Sequence, residues 1–469
     1  MLDQGTIAAV ATGAGVAGIG VIRISGPEAA DVAAQVFRVG RSQRPIDLRQ
    51  TESHRLIYGH VVDPATGATL DEVMLGWMAA PRTFTREDTV ELSCHGGPVT
   101  LAEVLRAVLA VGGRAAEPGE FTLRAFLNGR LDLTQAEAVL AVVGARTADG
   151  LRLAVDDLSG ALARRLRPAQ TALVELMAHL DALADFPDDE VPPTDIADGI
   201  ARAIAALDAV LAGVRAGQLY REGARVALVG RPNVGKSSLL NALLRNDRAI
   251  VTPTAGTTRD VVSETASLGG LPVTLLDTAG IAPSDDPVER IGIERSRGVL
   301  RSSAAAVLVL DGSVEPCPDD VAVAEALIGR LEPGAGPANL PVTVAINKGD
   351  LAVSASQREI TERLPGCAVV TVSATTGLGL PDLEAAIVAS LGAAEGGAQP
   401  SLLTARQRAE LERAAGHLAE ADAARLAGYP LDLLAIDVRA ALHAIGGVTG
   451  DAVDEAVLTE IFSRFCIGK

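Results

Sequence analysis

The stretch Gly230-Arg231-Pro232-Asn233-Val234-Gly235-Lys236-Ser237-Ser238 fits a simple pattern: Gly, four residues, Gly, Lys, then Ser or Thr. Those residue types at that spacing do phosphate chemistry. Glycines let successive backbone N–H groups wrap an anion, and a following helix adds partial positive charge at its N-terminus. Lys236 would reach the β- and γ-phosphates of a nucleotide, and the Ser237 hydroxyl would bind Mg2+. Asn233, Val234, Gly235, Lys236, Ser237 and Ser238 are therefore expected on the nucleotide. These roles need a strand before the loop and a helix after it. Arg225 to Val229 reads as a short buried strand, and Ser238 to Leu244 as the first turns of a helix.

Four more pieces follow in the order a guanine-nucleotide domain requires. Gly256-Thr257-Thr258 offers a hydroxyl that would complete the Mg2+ shell. Asp277-Thr278-Ala279-Gly280 follows the strand-like Val273 to Leu276; its Asp would hold Mg2+ through water, and its Gly amide would sense the γ-phosphate. Asn347-Lys348-Gly349-Asp350 follows Val342 to Ile346. Its Asp accepts from guanine N1–H and the exocyclic amine, so adenine would leave a buried carboxylate unpaired. Ser373-Ala374 follows Ala368 to Val372 and would meet the guanine carbonyl through backbone N–H. The ordered set predicts GTP rather than ATP. The water-orienting Gln of small signalling GTPases is missing, because Ile281 and Ala282 follow the Asp-Thr-Ala-Gly segment. With no obvious arginine finger, Asn233 is a candidate to hold a monovalent cation at the β–γ bridge.

The chain that must position these residues has 469 residues, enough for two to four domains. Its formal charge of −18 opposes nucleic acid globally, so any RNA contact needs a local basic patch or a partner. Cys94, Cys317, Cys367 and Cys466 lie far apart without a Cys-x-x-Cys pair, which argues against metal fingers and disulfide frameworks and for a reducing cytosol. No apolar run approaches the roughly 18 residues of a membrane span, so a soluble cytoplasmic protein is expected.

Residues 1–118 read as α+β, with strands at 6–11, 20–25, 56–62, 73–78 and 89–93 and helices at 28–37 and 99–111. Gly13-Ala14-Gly15-Val16-Ala17-Gly18 imitates a dinucleotide fingerprint, but a β-type run follows it where a helix is required. Residues 119–216 are helical, with a stripe at Leu158, Leu162, Leu166, Ala169, Leu173, Leu176, Leu180 and Leu183 and one further helix from Ile196 to Gln218. An α/β segment with buried strands occupies 217–391, and 392–469 begins as a linker and returns to Ala/Leu-rich helices. The predicted fold is multidomain: an α+β N-terminal domain, an all-α bundle made by both helical flanks, and an α/β phosphate-loop domain inserted between them.

Several stretches outside the nucleotide segment narrow the reading. They are Gly20-Val21-Ile22-Arg23-Ile24-Ser25-Gly26, His95-Gly96-Gly97-Pro98, the run from Pro118 to Leu133, Val288 to Glu294, and the terminal Phe465-Cys466-Ile467-Gly468-Lys469. Together they resemble the bacterial tRNA-modification GTPase family MnmE (TrmE) from end to end. The resemblance implies a folate-binding, dimerising N-terminal domain and a Ras-like GTPase domain inserted in a helical bundle. It implies a tetrahydrofolate derivative (5-formyl- or 5,10-methylene-) as one-carbon carrier, bound by Arg23, Glu91, Arg130 and Lys469. It extends the GTP contacts to Thr252, Pro253, Thr254, Ala255, Gly256, Thr257, Thr258, Asp277, Thr278, Ala279, Gly280, Asn347, Lys348, Asp350, Ser373 and Ala374. Mg2+ would sit on Ser237 and Thr258, K+ on Asn233, Thr252, Thr254 and Thr257, and Glu289 would position the attacking water. A homodimer would act with the flavoprotein MnmG (GidA), in a heterotetramer or larger complex, to add an aminomethyl or carboxymethylaminomethyl group at C5 of the tRNA wobble uridine.

The chain departs from the family pattern at Arg130, where Lys is expected, at Gly5 before Thr6-Ile7, and at Val16 in the glycine stretch. Cys466 is a candidate thiol beside the folate, but a tail packed into the pocket is the preferred reading. Cys94 and His95 are strand neighbours and point to opposite faces, which argues against a nucleophile–base pair. Two other readings stand beside this one: a regulatory GTP-binding module such as a ribosome-assembly factor, and a folate-dependent transferase with a vestigial GTPase domain.

Overall fold

The computed structural model describes residues 5–185, 195–246, 263–277, 298–328, 340–351, 362, 364, 366–392 and 399–468. Two compact units result, Met1–Leu140 with Leu158–Ala163 and His443–Lys469, and Ala141–Asp157 with Arg164–Leu442.

The first unit is built on a seven-stranded sheet in the order β3-β4-β5-β6-β2-β1-β7. Its strands are β1 (Ile7–Val10), β2 (Ile19–Ser25), β3 (Phe37–Val39), β4 (Arg55–Val62), β5 (Thr69–Met78), β6 (Thr89–His95) and β7 (Arg114–Ala115). Pairing is antiparallel except where β7 joins β1 in parallel. Ile22, Ile24, Leu75, Val90 and Leu92 bury one face under α1 (Ala29–Val36) and α2 (Pro98–Ala110), the alternation expected of a half-buried sheet. Ile19 begins a strand, so the glycine stretch before it opens no helix. Helices α3 (Glu120–Leu127) and α4 (Leu133–Gly144) bury Leu123, Leu133, Ala136 and Val139 with Ile461, Phe462 and Phe465 around the end of the chain.

The second unit holds a six-stranded sheet ordered β13-β12-β11-β8-β10-β9. Its strands are β8 (Ala224–Val229), β9 (Ser263–Leu268), β10 (Leu271–Asp277), β11 (Ala305–Asp311), β12 (Val342–Asn347) and β13 (Ala368–Thr371). All neighbours are parallel except β9 with β10. Every residue of β11 is buried, because helices cover both faces. On one face, Leu239, Leu240 and Leu243 of α9 (Lys236–Asn246) meet Leu380, Leu383 and Ile387 of α11 (Leu380–Ser390); on the other, Val323 and Ala324 of α10 (Pro318–Ile328) pack on Leu308 and Val344. β13 corrects the expectation of a buried strand. It is the sheet edge, and three of its four residues are exposed.

The leucine stripe from Leu162 onward becomes α6 (Ala161–Asp185), with Leu162, Leu166, Ala169, Leu173, Leu176 and Leu180 buried, whereas Leu158 ends α5 (Ala148–Leu158), because Gly160 at φ 83° breaks the helix between them. The single helix expected from Ile196 to Gln218 is two, α7 (Ile196–Leu211) and α8 (Val214–Glu222). At the break Gly213 O accepts from Ser401 N at 3.0 Å, and Ser401 Oγ donates to Val210 O at 2.9 Å. A side chain at Gly213 or Gly217 would collide with the backbone at Gln399 or Ser401. The chain therefore returns against α7 and α8 before α12 (Ala405–Leu426), α13 (Leu431–Thr449) and α14 (Glu455–Ser463) complete it.

Candidate functional site

In the parallel sheet of the second unit, β8, β10, β11, β12 and β13 all point their C-terminal ends to one edge, where ligands of such sheets bind. The phosphate loop leaves β8 beside both β10 and β11, and Lys236 opens α9. Asn233 holds the loop's curl in the left-handed region at φ 67°. Gly235, at φ 93°, leaves no room for a Cβ, which would fall on Asn347 Nδ2.

Lys236 Nζ donates to Gly230 O at 2.8 Å and to Arg231 O at 2.9 Å. Burial lowers the pKa of this ammonium, opposed by the charge of Asp277. An anion entering the loop would meet a cation that lacks full hydration, which strengthens the attraction. Ser237 Oγ donates to Asp277 Oδ2 at 2.6 Å. A hydroxyl and a carboxylate so placed are the hard oxygen donors that suit Mg2+.

Asn347 ties the phosphate loop to the base loop. It is 2 % exposed, its Nδ2 donates to Val234 O at 2.9 Å, and its Oδ1 accepts from Ala374 N at 3.1 Å. Lys348, at φ 64°, places Nζ 2.6 Å from Asp311 Oδ2. Burial raises the Asp311 pKa, but hydrogen bonds from Lys348 and Ser313 outweigh it and hold the carboxyl below its ordinary range. Asp350 is exposed in the turn after Lys348, open to a base, and Ser373 is buried with its N–H donating to Leu378 O at 2.9 Å.

In the first unit, the paired strands β2 and β6 set Arg23 opposite Glu91 in register, with Arg23 Nη2 2.7 Å from Glu91 Oε1. The Arg23 guanidinium lies 5.7 Å from the Phe121 ring and 5.9 Å from Phe84, and Arg130 stacks 4.9 Å above Phe84. Arg23 and Arg130 of the expected folate set thus share the Phe84 ring, and Glu91 joins them through its ion pair with Arg23. Cys466 is exposed. Cys94 is buried and donates to Leu92 O, while exposed His95 pairs with Asp71 at 2.7 Å, so the two do not form a catalytic couple.

The TrmE N-terminal family (GTP-binding protein TrmE N-terminus) matches residues 6–130, and the MnmE helical domain family matches residues 133–466. The protein named tRNA modification GTPase MnmE from Roseiflexus sp. is 48 % identical across 100 % of both chains. The chain belongs to the MnmE (TrmE) family. Proteins of the same name from Chloroflexus aurantiacus and Symbiobacterium thermophilum are 47 % identical over 99 % of each chain and 46 % identical over 100 % of each, respectively. Membership fits the architecture of an N-terminal α+β sheet, helices and a phosphate-loop sheet.

Of the residues this family suggests, Thr252, Pro253, Thr254, Ala255, Gly256, Thr257, Thr258, Thr278, Ala279, Gly280, Glu289 and Lys469 lie outside the described residues. The structure adds residues that the motifs did not point to. Asp311, the last residue of β11, anchors Lys348. Asp320, at the start of α10, fixes Arg231 of the phosphate loop at 3.0 Å. Phe84 and Phe121 give the Arg23 cluster its aromatic wall. An acidic residue ending the apolar run Ala305 to Leu310 was the available signal for Asp311; nothing local marks the others. Among the described residues, no helix is long and apolar enough to cross a membrane.

Proposed function

We propose that this protein hydrolyses GTP to GDP and phosphate and spends that cycle on modifying tRNA. The observation that carries the reading is Asn347 bridging the phosphate loop and Ala374, with Lys236 and the Ser237–Asp277 pair at the same sheet edge. The relatives' common name supplies the substrate class. Lys236 would hold the β- and γ-phosphate oxygens, the amides after Asn233 would wrap them, and Asp350 would select guanine by accepting two N–H groups. Mg2+ on Ser237 and Thr258, when bound, would neutralise charge on the β- and γ-oxygens. In place of an arginine finger, K+ held by Asn233, Thr252, Thr254 and Thr257 would supply the missing positive charge, and Glu289 would position water. GTP turnover measured in KCl and in NaCl tests this; equal, negligible rates in both salts would refute the cation role.

The same proposal extends to the first unit. Glu91 has the acceptors to take N–H groups of a pterin ring, Phe84 and Phe121 have faces to stack on it, and Arg23 and Arg130 have charge for a carboxylate. We assign them, with Lys469, a tetrahydrofolate that carries the one-carbon unit for C5 of the wobble uridine. The domain boundaries at 118, 216 and 391, a cytoplasmic location, a homodimer and an MnmG-type flavoprotein partner belong to this reading. Binding of 5-formyltetrahydrofolate lost in Arg23→Ala supports it, while unchanged binding removes the folate assignment. Mass spectrometry of wobble nucleosides in tRNA from cells lacking the protein decides the substrate. An unchanged nucleoside profile would favour a ribosome-assembly role instead.

A further inference from the structure

Helices α12 and α13 carry a cluster that the nucleotide chemistry does not use. His417 and Glu420 sit three residues apart on one face of α12, and Asp437 comes from α13. His417 Nδ1 lies 3.5 Å from Glu420 Oε2 and 3.5 Å from Asp437 Oδ1. The three atoms all fall within 4.8 Å of one another. Nδ1 is itself buried and makes no hydrogen bond, a costly condition for a ring nitrogen. Nearby arginines are engaged elsewhere, Arg413 with Glu410 and Arg439 with Asp181.

Three lone-pair donors therefore gather within 4.8 Å of one another, with no hydrogen bond from the ring to either carboxylate. Tetrahedral coordination with bonds of about 2.0–2.1 Å sets ligand atoms roughly 3.4 Å apart, and both imidazole–carboxylate edges match that spacing. We propose that His417, Glu420 and Asp437 bind one divalent cation of the Zn2+ class, with water completing its shell. One imidazole and two carboxylates give a mixed N/O set, which suits Zn2+ better than Ca2+ or Mg2+. Two carboxylates also balance its charge. The ion would clamp α12 to α13 across the turn at 427–430. This inference stands apart from the GTP and tRNA reading.

The competing arrangement is an imidazolium shared by two carboxylates without metal. Full-length, chelator-stripped, nucleotide-free protein is titrated with Zn2+ by calorimetry and with Co2+ by visible absorption. The expected result is one more bound equivalent in the wild type than in His417→Ala or Asp437→Asn, or at least a tenfold weaker affinity in both variants. A Co2+ d–d band should vanish with it, and Zn2+ should raise the Tm of the wild type only. Asp437→Asn keeps side-chain volume, so it decides the matter should His417→Ala fail to fold. Identical Zn2+ stoichiometry and affinity in wild type and Asp437→Asn, with matching far-ultraviolet spectra, would overturn the proposal.

Discussion

Replacing Asn347 by Ala tests whether the two nucleotide loops are held as one body. The substitution leaves the buried Val234 carbonyl without its donor and the part-buried Ala374 N–H without its acceptor. A buried group left unpaired costs about 1–3 kcal/mol, and a part-buried one about 0.5–1.5 kcal/mol. Taking about 2 kcal/mol as a modest total, affinity falls about thirtyfold if binding must restore both loops, since 1.4 kcal/mol is tenfold. The loss should fall on affinity, because the unpaired groups can reach water where the free loops part and bound nucleotide would draw them together again. Titration with a fluorescent GDP analogue measures it, with thermal melting of the free protein as control. Asn347→Asp separates the two bonds, because it keeps the acceptor for Ala374 and sets an oxygen against Val234 O. Affinity within threefold of wild type for Asn347→Ala would refute the bridge.

Gly235→Ala should weaken guanine-nucleotide binding at least a hundredfold, since a Cβ there meets the Asn347 amide and φ 93° suits glycine alone; affinity within fivefold in the same titration would show that the loop adjusts. Glu120 gives an acid limb to stability. Burial raises its pKa, but hydrogen bonds from Arg114, the Glu117 backbone and Arg124 outweigh it, so the folded value lies below the ordinary 4.5. Its contribution is present above pH 4.5 and is lost as pH falls through the folded value, and Glu120→Gln should flatten that limb in urea melts taken from pH 7 to pH 3. Burial, with help from Asp71, pushes the Cys94 thiol up to about 12. Brief alkylation at pH 7.5 should therefore label exposed Cys466 and spare Cys94 by peptide mass mapping, and early labelling of Cys94 would contradict its burial.

Local pattern made the nucleotide segment readable. The phosphate loop needs glycines, Lys and Ser within nine residues, and largely apolar runs of four to six residues announced β8, β10, β11 and β12. Partnerships across the fold left no such trace. Lys348 and Asp311 are 37 residues apart, and Arg231 and Asp320 are 89 apart, so only topology joins them. The Arg114–Glu120–Arg124 cluster was equally silent, because an i,i+4 charge pair on a helix usually lies in solvent, whereas Glu120 is 3 % exposed. β13 looked buried from its composition, but edge position is decided by strand order. In the first unit, Arg23 and Glu91 were picked out by resemblance, and their pairing came from the β2–β6 register.

The glycine seam at 213 and 217 sets the mechanics of what hangs from it. Because Ser401 is stapled to Val210 and Gly213, the long excursion carrying the nucleotide sheet starts and finishes at one doorway. Its two ends are held a single hydrogen bond apart, so lengthening or swapping that excursion costs little extra closure entropy. The seam closes the excursion like the neck of a lasso, and Leu219 and Tyr220 of α8 add a second hold by packing on the core of the nucleotide sheet.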